Sequence, residues 1–467
     1  MQMRYLIFGT GDYYERYKKW FRREEIVALL DNSPKKVNTT IDDVRVVSPK
    51  QGVELSYDMV VILSFYVKAM RKQLLELGVP ENKIYHFYDL HRLVKCKDFA
   101  YPIEYYGEAK SLLGESTGEN KLIVLMSQDL TLGGPAIALF HVAVALKKWG
   151  YQVIYASMLD GPLRAKLQEN DISVVVDVNL QLATMREVQW LKNASLLFCS
   201  TINYYVFLSE LDKEIPIIWW LHDSEFFYDG VDKNVLRSID FDRVRVVSVG
   251  KVPQNAIRRI VPELPVGQLL YGVEDVAASQ EPISDGEKVI FTTIGYVEER
   301  KGQDILIDAI RKLPDSIKKQ CEFWLVGQDT SLLAQRIKQV TEDIPEVVFK
   351  GTVDREKINR ILGETDVLIC PSREDPMPTV AAEAMRQSTM CLVSDATGTS
   401  EYIQHKENGM VFESGNVPQL ALDIAWCVEN KKILREMGEK ARVIYEKVFS
   451  VEVFEERLME VIEEANE

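Results

Sequence analysis

The chain has 467 residues, enough for two to three domains each burying its own core. Its hydrophobic content of 46% and charged content of 27% are those of a globular protein. A net charge of −15 argues against a nucleic-acid binder, which needs a basic face.

The first block, residues 1–95, opens directly on a strand, Tyr5-Leu6-Ile7-Phe8, so neither a signal leader nor a membrane span is expected. Gly9-Thr10-Gly11 then forms a turn, and Asp31 closes the next strand, where a ribose-binding acid would lie. Tyr14 stands where a dinucleotide site needs a third glycine, so NAD binding is not expected. The first helix interleaves Arg16, Lys18, Lys19, Arg22 and Arg23 with Tyr13, Tyr17 and Trp20. That face suits packing on its own sheet; the other reading is a patch for anionic lipid at the inner membrane face. Residues 96–119 read as a linker.

A sheet restarts at Leu122-Ile123-Val124-Leu125-Met126, opening a middle block over 120–275. Thr131-Leu132-Gly133-Gly134-Pro135 follows that strand. Gly133 and Gly134 would let backbone N–H groups approach a phosphate, and Pro135 fits a first helical turn. His222 closes the run Ile217-Ile218-Trp219-Trp220-Leu221, at the strand end where α/β enzymes place reactive side chains. Six scattered cysteines suggest buried reduced thiols and a cytoplasmic setting.

After a polar connector at 278–287, the third block (276–450) begins with the strand Val289 to Ile294. Gly295 and Gly302 then bound a loop carrying Arg300 and Lys301, fixed cations at the ligand-binding end of a sheet. Further on, Pro376 and Pro378 deny a helix before Thr379, while the Ala/Met-rich run after it favours one. Asp375 therefore lies on a loop and Glu383 one turn inside a helix. Between them the N–H groups of Met377, Thr379 and Val380 can point at an anion. Amides for phosphates and carboxylates for hydroxyls suit a phosphorylated, polyhydroxylated ligand. A last amphipathic helix is predicted over 451–467.

The stretch from Ser372 to Met385, with its acid-x7-acid spacing, resembles the signature of the retaining glycosyltransferases of GT-B fold, family four. Ile294-Gly295-Tyr296-Val297-Glu298-Glu299-Arg300-Lys301-Gly302, Phe323-Trp324-Leu325-Val326-Gly327, Val348-Phe349-Lys350-Gly351 and Asp366-Val367-Leu368-Ile369-Cys370-Pro371-Ser372 match the family in order and spacing. The resemblance, which covers residues 120–467, implies an α/β fold with two Rossmann-like domains facing a cleft; residues 1–95 resemble instead the Rossmann-like accessory domains that precede sugar-modifying enzymes such as sugar O-acyltransferases. The first resemblance also implies that the last helix crosses back onto the middle domain. The implied substrate is a nucleotide-sugar, a UDP-sugar first, with no further cofactor. The implied acceptor is a glycan, a lipid-linked glycan or a protein, in bacterial surface polysaccharide or glycan assembly.

By the same resemblance Lys301 and Arg300 hold the donor diphosphate with Gly295, Gly133 and Gly134. Asp375 takes sugar hydroxyls, Glu383 the ribose, and His222 the donor sugar near the reaction centre. Tyr296 stands where the family more often has arginine, and Asp375 where it usually has glutamate. Ala396-Thr397-Gly398-Thr399-Ser400-Glu401 resembles a loop near the phosphates. Asp240-Phe241-Asp242 imitates the metal motif of another glycosyltransferase fold, but two carboxylates alone make a poor metal site, so no metal is expected. Two other readings stay open: a silent partner of another transferase, and a GT-B sugar-nucleotide epimerase. An oligomer through the first domain is a further expectation. All donor motifs follow residue 120, so the first domain is expected to be separable from donor chemistry.

Overall fold

The computed structural model describes residues 3–64, 66–93, 101–114, 122–182, 188–211, 215–276 and 288–466. Much of the expected linker (94–100 and 115–121) and the connector 278–287 lie outside them. Three open sheets follow one another along the chain. The first has the order β3-β4-β2-β1-β5-β6, from β1 (Tyr5–Phe8), β2 (Ile26–Leu30), β3 (Thr40–Ile41), β4 (Val44–Val47), β5 (Met59–Ile62) and β6 (Ile84–His86). The second runs β14-β13-β12-β11-β8-β9-β10-β7. Its strands are β7 (Glu104–Tyr106), β8 (Leu122–Ser127), β9 (Gln152–Ser157), β10 (Ser173–Val176), β11 (Leu196–Ser200), β12 (Ile217–Leu221), β13 (Val244–Ser248) and β14 (Val266–Gln268). The third is β17-β16-β15-β18-β19-β20, from β15 (Val289–Ile294), β16 (Cys321–Val326), β17 (Val347–Gly351), β18 (Val367–Cys370), β19 (Met390–Ser394) and β20 (Met410–Phe412).

Strands of a parallel sheet are covered on both faces, so they must be apolar throughout rather than alternating. Every residue of β1, β8, β12, β18 and β19 is indeed buried. Under the third sheet Phe291 and Phe323 stack at 5.1 Å. The helices Gln303–Lys312 and Val417–Glu429 pack together over that core.

By their contacts the residues form two compact units: 1–217 with 225–244 and 256–264, and 218–224 with 245–255 and 265–467. Within the first unit, the N-terminal sheet is joined to strands of the second. Trp20 donates its indole N–H to Gln181 at 2.6 Å and meets Tyr101 edge-on. Tyr101 and Asn179 exchange two hydrogen bonds of 2.8 Å. Residues 104–106, inside the stretch expected as linker, are the edge strand β7, antiparallel to β10. Tyr13, Tyr17 and Trp20 are all buried, so the aromatic face of the first helix is core. Asp31 is engaged by Thr10 and Lys36.

Within the second unit, the terminal helix Val451–Asn466 lays Phe454 over Trp220 of β12, rings 6.2 Å apart. Gly272 permits this approach, since a Cβ there would sit 2.9 Å from Phe454. Among the described residues no helix is long and apolar enough to cross a membrane. The five described cysteines are free and buried.

Candidate functional site

The basic loop and the acidic loop meet. Lys301 Nζ lies 2.5 Å from Asp375 Oδ2, and Arg300 Nη1 lies 4.0 Å from the same oxygen. Arg300 is held in turn by Glu298 at 2.8 Å and by the Glu374 carbonyl at 3.2 Å. The sequence predicted these charges as ligands of one substrate; it did not reveal that they pair with one another. Asp375 is 5% exposed, and a buried carboxylate needs such a partner.

Two glycines allow the loops to close. Gly302 adopts φ +69°, and a Cβ there would fall 2.0 Å from the Pro371 carbonyl oxygen. Gly398 passes so close that a Cβ would stand 1.9 Å from the Pro376 carbonyl oxygen. The loop expected near the phosphates thus clamps the acid: Asp375 N–H donates to Ala396 O at 3.0 Å, and Gly398 N–H donates to Asp375 O at 2.9 Å. Arg373 locks the other side, donating to both oxygens of Asp304 at 2.8 and 2.7 Å and to the Glu299 carbonyl at 2.6 Å.

The helix after the acid runs Thr379–Arg386, starting where the prolines predicted. Its N-cap is Pro378 and no side chain caps it, so its dipole faces the acid loop. Met377 is buried beneath. Glu383 is 1% exposed; one carboxylate oxygen pairs with Arg355 and the other, Oε2, has no hydrogen-bond partner. A buried acceptor left unpaired is costly, so an incoming hydroxyl gains by meeting it.

His222 is 5% exposed at the end of β12. Its Nδ1 lies 3.1 Å from Tyr271 Oη, the two rings stack at 5.6 Å, and Nε2 has no hydrogen-bond partner. Burial pushes its pKa down to about 3. The ring is therefore neutral near pH 7 and works as a hydrogen-bonding group, not as a charge. Burial also raises the Tyr271 hydroxyl, aided by Asp375 and Asp223.

In the other unit, Gly133 and Gly134 open the helix Gly134–Lys148, again with no side-chain cap. Gly295, at φ +148°, turns the chain between β15 and Lys301, and Tyr296 beside it is 64% exposed. Asp240 pairs with Arg243 at 2.7 Å. No group of three His, Cys, Asp or Glu that could hold a metal occurs among the described residues.

Sequence reasoning missed Arg355, Arg373 and Tyr271. Arg373 stood within the quoted stretch from Ser372 to Met385, but nothing local signalled its partners, or those of Tyr271. Arg355 carries no such signal.

Residues 276–443 match the model for glycosyl transferases group 1, and residues 119–249 match that for glycosyl-transferase family 4. Residues 1–85 match a model described as C2185-like, N-terminal. The fold and these two transferase domains define a glycosyltransferase of GT-B type. Among characterised proteins, the chain is similar to N-acetyl-alpha-D-glucosaminyl L-malate synthase of Bacillus anthracis, 24% identical over 298 residues, covering 59% of this chain and 76% of that one. Among solved structures it resembles HepE of Anabaena in complex with UDP and glucose, with TM-score 0.64 and 19% identity over 74% of this chain and 100% of that one. WaaG, a glycosyltransferase involved in lipopolysaccharide biosynthesis, aligns with TM-score 0.56 and 15% identity, covering 73% and 99%.

Proposed function

We propose that the protein transfers a sugar from a nucleotide-sugar, a UDP-sugar first, to a glycan, lipid-linked or protein acceptor with retention of anomeric configuration. The setting is the assembly of bacterial surface polysaccharide or glycan. What carries the reading is the Lys301–Asp375 contact at 2.5 Å, next to an uncapped helix that holds Glu383. HepE with UDP and glucose, and WaaG in lipopolysaccharide biosynthesis, support the donor and the setting.

Lys301, with Arg300 and the N–H groups of Met377, Thr379 and Val380, meets charge that grows on the diphosphate as the glycosidic bond breaks. Gly295 lets the backbone turn beneath it. Asp375 binds sugar hydroxyls, Glu383 the ribose, and His222 Nε2 a sugar hydroxyl near the anomeric carbon. In the other unit, the uncapped helix that starts at the Gly133–Gly134 turn offers N–H groups to a substrate phosphate. The bond between the anomeric carbon and the phosphate oxygen breaks, its electron pair staying on the oxygen. The acceptor hydroxyl attacks from the same face, and its proton passes to that phosphate oxygen.

A thermal-shift series with UDP-, GDP-, ADP- and dTDP-sugars tests the donor, and NMR of the product tests retention. The expected result is stabilisation by a UDP-sugar and a product that keeps the donor's anomeric configuration. No shift with any of them, or an inverted product, contradicts the reading.

A further inference from the structure

The loop after β8 is tied to the N-terminal sheet at two adjacent residues. Asp129 Oδ1 accepts the Thr131 N–H at 3.1 Å and its hydroxyl at 2.7 Å, and Thr131 Oγ1 accepts the Gly133 N–H at 3.3 Å. The other oxygen of Asp129 lies 3.4 Å from Arg16 Nη2, on the first helix of the chain. One residue earlier, Gln128 Oε1 accepts from Asn203 Nδ2 at 2.6 Å, and Asn203 Oδ1 accepts from the Tyr88 hydroxyl at 2.6 Å. Tyr88 follows β6, packed on Phe87 at 4.2 Å and edge-on to Tyr205.

Docking alone does not require these contacts. The joint is already made elsewhere, by Trp20 with Gln181 and by the Tyr101 hydroxyl with the Lys19 carbonyl. Arg16 and Tyr88 instead end on the loop that opens an uncapped helix. A carboxylate that serves both a cation and a turn fixes the turn more firmly than either bond alone. Arg16 and Asp129 have side chains 22% and 20% exposed, sheltered enough to limit screening by salt.

We propose that the N-terminal domain is a positioning element of the transferase: through Arg16–Asp129 and Tyr88–Asn203–Gln128 it sets the conformation of loop 128–134. This rests on the reading of that loop as a phosphate contact. Arg16 and Tyr88 are positioning residues, since neither reaches the substrate itself.

The test uses steady-state kinetics of the full chain with UDP-glucose as donor. Gly134→Ala examines the underlying reading. Nothing lies within 4 Å of a Cβ at Gly134, so the methyl meets no protein atom and only a ligand on this helix start would feel it. Arg16→Ala and Tyr88→Phe examine the relay, and Arg16→Lys the rescue. Tyr101→Phe, which removes a bond of 3.0 Å to the Lys19 carbonyl without touching the loop, is the control for ordinary docking.

The expected result is a loss of about tenfold in kcat/KM for Arg16→Ala and for Tyr88→Phe, mostly through KM, because the phosphate contact exists before and during reaction. Arg16→Lys should recover most of it, and Tyr101→Phe should stay near wild type. Loss in Gly134→Ala with wild-type kinetics in Arg16→Ala and Tyr88→Phe, or with changes no larger than in Tyr101→Phe, overturns the proposal and leaves the loop's role intact. Wild-type kinetics in Gly134→Ala overturns the loop's role instead.

Discussion

His222 shows how far a residue's identity understates its state. A histidine at a strand end suggests a charge, yet burial holds this one neutral, its pKa about 3. Unfolding returns it to the ordinary value near 6.5, so the unfolded chain binds a proton that the folded chain refuses. Stability should therefore fall as pH drops from 6.5, by up to ~1.4 kcal/mol per unit from this group. Chemical denaturation between pH 6.5 and 4.5 should give a shallower decline for His222→Gln than for wild type; identical slopes would refute the buried neutral ring. Glu383 makes a separate prediction. Its proposed ribose contact is present before and during reaction, so Glu383→Ala should raise the donor KM while kcat changes much less. A fall in kcat alone would assign Glu383 to the transition state instead.

At the scale of elements, the two loop glycines decide whether the site can assemble. A Cβ at Gly302 or Gly398 would stand 2.0 or 1.9 Å from a backbone carbonyl oxygen, and backbone cannot step aside cheaply. Gly302→Ala and Gly398→Ala should each cost about 1–3 kcal/mol or more in chemical denaturation. Gly134→Ala, in open space, should unfold like wild type. The elements themselves were readable. The prolines placed the helix start at Thr379, and the apolar runs gave β1, β15 and the terminal helix nearly residue for residue. Their pairings were not. Lys301 and Asp375 are 74 positions apart, Arg355 and Glu383 are 28 apart, and Arg16 and Asp129 are 113 apart. Periodicity records which face a residue lies on, but not which distant charge will meet it. Residues 104–106 were misread for a related reason, since a short edge strand carries little pattern of its own.

For the whole molecule, the joint within the first unit changes one expectation. The proposed donor motifs follow residue 120, but Arg16, and Tyr88 through Asn203, reach the loop at 129 and 128. A chain starting near Gly118, if folded, should still bind a nucleotide-sugar while showing a raised donor KM. Loss of all binding would place the first domain inside the site. If Lys301, Arg300 and helix N–H groups meet the leaving-group charge as proposed, turnover should survive excess EDTA. Activity abolished by chelation and restored by Mg²⁺ or Mn²⁺ would reinstate Asp240 and Asp242 as candidates. The central claim is that Lys301 meets the charge of the departing diphosphate, and steady-state kinetics of Lys301→Ala tests it most directly. Arg300, 4.0 Å from the same Asp375 oxygen, still faces the buried acid, so the variant should fold, though less stably, and losing such a donor costs roughly 10²–10³ in kcat. A folded Lys301→Ala protein with near wild-type turnover would contradict the account.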